Sequence, residues 1–202
     1  AGQPCIVIGH SLGGATAAAL TQRHADLVVA AVMEDPPLAA AGNTPERTDH
    51  ALLDGFKLMR ASIPQMQAGG MTRDVLAGVL AAAPGTAGST FGATLHADGI
   101  SAMAGSMLAV DAAVLDPVLD GTIGTFLDPD VPFAAPSLIV CADPTVPGAV
   151  ADPDLARHFA EISPAVEVLV VDGAGHLIHD ELGVRDRFRN AVIDFIDRTV
   201  TT

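Results

Sequence analysis

Tryptophan and tyrosine are absent from this chain, and aromatic residues make up only 3% of its 202 positions. Half of the residues are hydrophobic, mostly valine, leucine, isoleucine and alanine. That is enough for a sizeable core with little aromatic bulk. Basic residues are scarce: 10 Lys and Arg stand against 24 Asp and Glu, a formal net charge of −14. A surface this acidic repels nucleic acid and anionic membranes, so neither is expected as a partner. No apolar run approaches the roughly twenty residues needed to span a bilayer. Cysteine is limited to Cys5 and Cys141. Both fall in apolar, strand-like runs and read as buried thiols. No disulfide framework and no metal site are expected, because neither shows the spacing. A cytoplasmic, reducing setting follows as the expectation.

What is present is concentrated at Ile6-Val7-Ile8-Gly9-His10-Ser11-Leu12-Gly13-Gly14. An apolar run ends in Gly-x-Ser-x-Gly and enters an Ala-rich helical segment. A buried strand that turns abruptly into a helix holds the turn residue in a strained conformation, and small residues must flank it because the two backbones pass close together. Gly9 and Gly13 are read as supplying that space, with Gly14 adding more. Ser11 is then presented at the carboxyl end of the strand, and the Leu12 N–H points where an oxyanion would form. A Gly-rich turn with an incidental serine is the alternative reading. His10, beside the nucleophile, is a candidate for lining the pocket.

The rest of the chain divides into two textures. Residues 4–8, 28–33, 137–141 and 166–171 are mostly apolar runs, the last broken by Glu167, separated by helical stretches. That pattern predicts a parallel sheet covered on both faces, with the four strands in chain order. Val184 to Val200 reads as a closing helix, with Phe188, Val192, Phe195 and Ile196 on one face. Between about Leu38 and Ala135 the alternation stops. Helices are expected over 45–63, 72–82 and 100–115, punctuated by Gly69-Gly70, Pro84-Gly85 and Gly88. Met59, Met66, Met71, Met103 and Met107 lie there. They read either as a deformable lining for an apolar pocket or as ordinary helix packing.

A serine hydroxyl needs a base within reach, and the base needs an acid to orient it. His176 is the candidate base. It follows an apolar strand in Asp172-Gly173-Ala174-Gly175-His176, on a loop of small residues, and imidazole titrates near neutrality. A surface loop histidine is the bland alternative. His179, three residues on, reads as a supporting or surface residue.

Gly9-His10-Ser11-Leu12-Gly13-Gly14 resembles the nucleophile elbow of the α/β-hydrolase superfamily. Val170-Val171-Asp172-Gly173-Ala174-Gly175-His176 resembles its catalytic-histidine loop, and Leu138-Ile139-Val140-Cys141-Ala142-Asp143-Pro144 the strand and turn before its penultimate helix. The resemblance covers nearly the whole chain apart from the variable middle. It implies an α/β fold corresponding to the C-terminal half of the hydrolase fold: a four-stranded parallel sheet flanked by helices. Residues 1–37 and 136–202 would form the core, and 38–135 an inserted helical lid over Ser11. The family's first four strands, and the loop giving a second oxyanion donor, have no counterpart here. Weak esterase activity of this chain alone is the consequent expectation.

The resemblance leaves the acid open. Most of the family places it at the end of the strand preceding Asp143, but the usual strand-Gly-x-x-Asp spacing falls on Thr145. Branches such as the haloalkane dehalogenases place it one strand earlier, at the spacing of Asp35 from Ser11. Asp35 is favoured, with Asp143 and then Glu34 as alternatives.

The leading functional reading is a cofactor-free serine hydrolase of carboxylic esters, lactones or related carbonyl compounds. Its partner would be a small, apolar, ester-like molecule. A haloperoxidase-like activity uses the same triad. A second reading is a catalytically weak half-hydrolase serving as a binding or assembly module, with a homodimer through the edge of the Ser11 strand. A dinucleotide-binding loop fits poorly, because the order is Gly-x-Ser-x-Gly-Gly and not Gly-x-Gly-x-x-Gly.

Overall fold

The computed structural model describes residues 2–38, 50–85 and 88–200. The described chain forms two compact units. Residues 2–38 and 125–200 make the first, and residues 50–85 with 88–124 the second.

The first unit is a parallel sheet with helices on both faces. Its elements run β1 Cys5–His10, α1 Leu12–Arg23, β2 Val28–Glu34, β3 Ser137–Ala142, α7 Pro153–Ile162, β4 Val166–Val171 and α8 Arg185–Val200. Spatial order follows chain order, β1-β2-β3-β4, with every pair parallel. The two central strands explain the continuous apolar runs. All six β3 residues are buried, as are all β2 residues except Val29, because neighbours cover both faces. Side chains alternate between two cores. Ala31, Met33, Ile139 and Cys141 face Ala17 and Ala18 of α1 and Ala156 and Phe159 of α7. Ala30, Val32, Leu138 and Val140 face Phe188, Val192 and Phe195 of α8. The expected helical face of the last helix is therefore its buried face.

Three sequence expectations need correction. β1 extends through Gly9 to His10 instead of ending at Ile8. Cys5 is exposed, whereas Cys141 is buried as expected. Among the described residues Cys5 opens a strand that pairs with β2 alone, so its other side is left uncovered by them; Ile8 on the same strand is 55% exposed. The expected helical region of 38–135 is also too long at both ends. Leu38, Leu127, Phe133 and Ala135 are buried in the sheet's own core, and Phe133 stacks on Phe159 with ring centroids 4.5 Å apart.

The second unit is helical: α2 His50–Ala68, α3 Arg73–Ala82, the short α4 Phe91–Thr94, α5 Ala97–Ala109 and the short α6 Asp116–Leu119. The expectation for residues 45–49 lies outside the described residues. α2 runs five residues past Ile63, through Pro64, and stops where Gly70 takes φ 66°, a conformation that glycine adopts without strain. Thr72 caps α3 by accepting the Val75 N–H. The expected helix over 100–115 instead starts at Ala97 and breaks after Ala109, and residues 112–115 form a separate 3-10 turn. The five methionines are all half-buried. Among the described residues no single helix is long and apolar enough to cross a membrane.

Candidate active site

The strand ends place the site. β1 and β2 pair His10 with Glu34, so Ser11 and Asp35 leave the sheet side by side. Both take positive φ, 52° at Ser11 and 40° at Asp35, and they are the only described residues other than glycine to do so. Each such strained residue costs on the order of 1–3 kcal/mol and persists only where its surroundings hold it. Here they do. The Ser11 N–H donates to the Glu34 carbonyl at 2.8 Å, and the Asp35 N–H to the Val140 carbonyl at 2.7 Å.

Glycine makes the tight turn at Ser11 feasible, at Gly9 and Gly14 as read from the sequence but not at Gly13. A Cβ on Gly9 would lie 2.1 Å from the Gly13 carbonyl oxygen, so no side chain fits. At Gly14 it would meet the Pro36 Cβ at 3.0 Å and the Gly9 oxygen at 3.2 Å. At Gly13 it would meet nothing within 4 Å, so the second crowded glycine is Gly14. Leu12 opens α1, where first-turn N–H groups have no acceptor within the helix.

Asp35 is fully buried and its carboxylate is saturated. Oδ1 accepts the Ala142 and Ala151 N–H groups, each at 3.0 Å. Oδ2 accepts the Val150 N–H at 2.9 Å and the His176 Nδ1–H at 2.7 Å. Burial pushes the Asp35 carboxyl up, but the hydrogen bonds from His176 and the three backbone N–H groups outweigh it. The net shift is below the ordinary carboxylate value. With Nδ1 bonded to Asp35, His176 Nε2 is the nitrogen left to act as a base.

Asp143, the alternative acid, faces elsewhere. Its carboxylate accepts the Gly173 N–H at 2.8 Å and the Thr145 N–H and hydroxyl at 2.8 and 2.7 Å. Those bonds, led by that from Gly173, hold its carboxyl below the usual value. Asp143 thus ties the turn after β3 to the histidine loop, and the Asp143 N–H donates to the Ala174 carbonyl at 2.9 Å.

His10 reaches the same loop. Its Nε2–H donates to the His176 carbonyl at 2.9 Å, and the two rings lie 4.5 Å apart between centroids. Burial lowers the His10 pKa, Glu34 opposes that shift, and the charges of His176 and His179 reinforce it. The Ser11 hydroxyl makes no hydrogen bond to His176, or to any other described residue. Such contacts are commonly long in a free site and tighten when substrate binds.

A second acid–histidine pair lies beside the first: Glu34, weighed in the sequence only as an alternative acid, meets His179, read there as a supporting or surface residue. Glu34 is 3% exposed. Its Oε1 accepts the His179 N–H at 2.8 Å, and His179 Nδ1 lies 2.9 Å from Oε1 and 2.8 Å from Oε2. Burial lowers the His179 pKa, but Glu34 and then Asp180 raise it more, leaving it above the ordinary value. The spacing carries the signal in hindsight: adjacent acids at 34 and 35 meet histidines at 179 and 176. Glu181 adds a further tie, accepting the Gly175 N–H at 2.8 Å.

Residues 1–188 match the family model described as the alpha/beta hydrolase family. No curated protein matches the chain. Solved structures similar to it include the N-formylmaleamic acid deformylase of Pseudomonas putida S16, at 16% identity and TM-score 0.57, covering 99% of this chain and 67% of that one. The enol-lactonase of Burkholderia xenovorans LB400 is 20% identical, with TM-score 0.56 and coverages of 96% and 66%. A thermophilic esterase of Thermogutta terrifontis is 18% identical, with TM-score 0.57 and coverages of 98% and 66%. The chain therefore spans about two thirds of the length of these structures.

Proposed function

From the premise that this chain belongs to the alpha/beta hydrolase family, we propose that it carries the nucleophile, base and acid of a serine hydrolase acting on a carboxylic ester, lactone or related carbonyl compound. The observation that supports this most is the 2.7 Å contact between a fully buried Asp35 and His176 Nδ1, made beside the strained turn that presents Ser11. In this reading Ser11 Oγ attacks the carbonyl carbon while His176 Nε2 takes its proton. Asp35 fixes the tautomer and stabilises the imidazolium that forms. The Leu12 N–H receives the oxyanion. His176 returns the proton to the leaving group, and water repeats the sequence to free the acid. The similarity in fold to a deformylase, an enol-lactonase and an esterase supports carbonyl substrates as the class.

The test is turnover of a short-chain nitrophenyl ester by the chain against a Ser11→Ala control. Turnover that disappears with Ser11 supports the reading, and equal rates from both proteins contradict it.

A second reading has one observation in its favour. β1 is hydrogen-bonded on the β2 side alone among the described residues, and it exposes Ile8. Such an edge can accept a strand from a second copy. Light scattering that gives a dimer disrupted by Ile8→Lys would support it, and a monomer at all concentrations would contradict it.

A further inference from the structure

The second acid–histidine pair has a use that the hydrolase reading does not require. We propose that His10, Glu34 and His179 form a binding site for a divalent first-row transition-metal ion, zinc being the best match. Two imidazoles would each supply one nitrogen and Glu34 one oxygen.

The three side chains come from separate segments: the end of β1, the end of β2 and the loop after β4. One donor atom from each lies within 4.8 Å of the others. Zinc bonds of about 2.0–2.2 Å let a single ion bridge donors spaced roughly 3–4 Å apart. Two histidines and a carboxylate are a donor set suited to zinc, with room left for water.

The surroundings match what a metal site needs around its ligands. A metal-bound histidine usually gives its other ring N–H to a carbonyl or a carboxylate, which fixes the ring and its tautomer. His10 Nε2 does this with the His176 carbonyl at 2.9 Å. His179 Nε2 lies 3.3 Å from Asp180 Oδ2, and Asp180 Oδ1 is itself paired with Arg185 at 2.8 Å. Both rings thus have Nε2 engaged, which leaves each Nδ1 as the ligating nitrogen. Arg185 Nε also donates to the His179 carbonyl at 2.8 Å, holding the loop. Glu34 is buried and needs a cation nearby. The Nδ1 proton of His179 and a metal ion compete for that place, so binding releases this proton to solvent.

This site does not depend on Ser11 as a nucleophile, and its test reads binding alone. The whole chain, stripped of metal with a chelator, is titrated with Zn²⁺ by calorimetry. One saturable equivalent is expected. Glu34→Gln and His10→Gln should each weaken binding by more than the roughly 10–100-fold that changes outside the ligand shell cost. Ser11→Ala should bind as the unaltered chain does. Failure of the hydrolase reading would leave these results unchanged. Absence of saturable binding, or full affinity in both ligand variants, would overturn the proposal. Because Glu34→Gln touches a buried group and could unfold the chain, a second measurement uses the unaltered protein loaded with Co²⁺. Its proton spectrum should show paramagnetically shifted ring N–H signals from two histidines. Any other number of coordinated histidines would also overturn it.

Discussion

Asp35 carries the most structural consequence of any single residue. Four hydrogen bonds converge on its carboxylate, and only one of them, from His176, is needed to orient a base. The other three fasten the ends of β2 and β3 to the segment before α7. Asp35→Asn replaces an acceptor-only group by one that carries an N–H₂ donor. Wherever that donor falls, a backbone N–H or the His176 Nδ1–H loses its acceptor. Hydrolysis of a nitrophenyl ester should fall by roughly 10⁴, the scale set by a triad aspartate. Asp143→Asn should cost far less, because its carboxylate is spent on Gly173 and Thr145. The reverse ranking would move the acid to Asp143. The same residues show why the acidic partner of His176 was only partly legible in the sequence. Asp35 and Asp143 both follow apolar strands, and only the folded register reveals which one His176 meets.

Cys141 gives a second prediction at this scale. Its thiol is fully buried, and burial first, then the nearby charge of Asp35, raises its pKa from 9.0 to about 12. The folded value lies above the unfolded one, so the stabilising contribution is complete below pH 9. It is lost progressively as the pH climbs toward 12, where the unfolded chain releases the proton more readily. The sequence has no tyrosine, a single lysine, Lys57, and one other cysteine, Cys5, so few other side chains bear on that window. Denaturant unfolding at a series of pH values should show a falling alkaline limb that Cys141→Ala flattens. An unchanged limb in that variant would contradict the assignment.

At the scale of elements, α8 is the clearest case of pattern becoming packing. Its Phe188, Val192 and Phe195 are separated by four and three residues and all enter the core beneath β2 and β3. With so few aromatics in the chain, each buried ring fills volume that no neighbour can take over. Phe195→Ala should destabilise the chain by about 3–5 kcal/mol, read as a lower midpoint in urea at unchanged slope. A loss below about 0.5 kcal/mol, the scale of a surface change, would mean that α8 is not seated as described. The four strands were legible as mostly apolar runs, and β2 and β3 most plainly, because parallel strands buried on both faces carry little else. Their ends were less so. β1 continues through Gly9 and His10, which have no apolar signature, because pairing with Met33 and Glu34 holds them in the ladder. The exposure of Cys5 was missed although chain order puts the Ser11 strand at an edge, because its apolar run was read as buried.

At the scale of the whole molecule, the described chain forms two compact units. Among the described residues, the two hydrophobic clusters of the sheet unit are built from residues 6–38 and 127–196. Replacing residues 43–124 by a short flexible linker should therefore leave a cooperative unfolding transition and a mixed α/β circular dichroism spectrum. Loss of cooperativity would show that the helical unit supplies part of the sheet's stability. The sequence marked this division by the end of strand–helix alternation, but it placed the return to the core too late. Leu127 and Phe133 sit in a segment without periodicity, where burial depends on what the fold brings alongside.

The account rests on Ser11 being an activated nucleophile, and the most direct measurement is covalent capture. A fluorophosphonate probe reacts with a serine hydroxyl only where a base and an oxyanion donor assist it. Incubated with the chain and mapped by peptide mass spectrometry, it should modify Ser11 alone. Labelling should vanish in Ser11→Ala, slow by orders of magnitude in His176→Gln, and persist in Asp143→Asn. An unlabelled Ser11 in the folded chain, or labelling at the same rate after His176 is replaced, would contradict it.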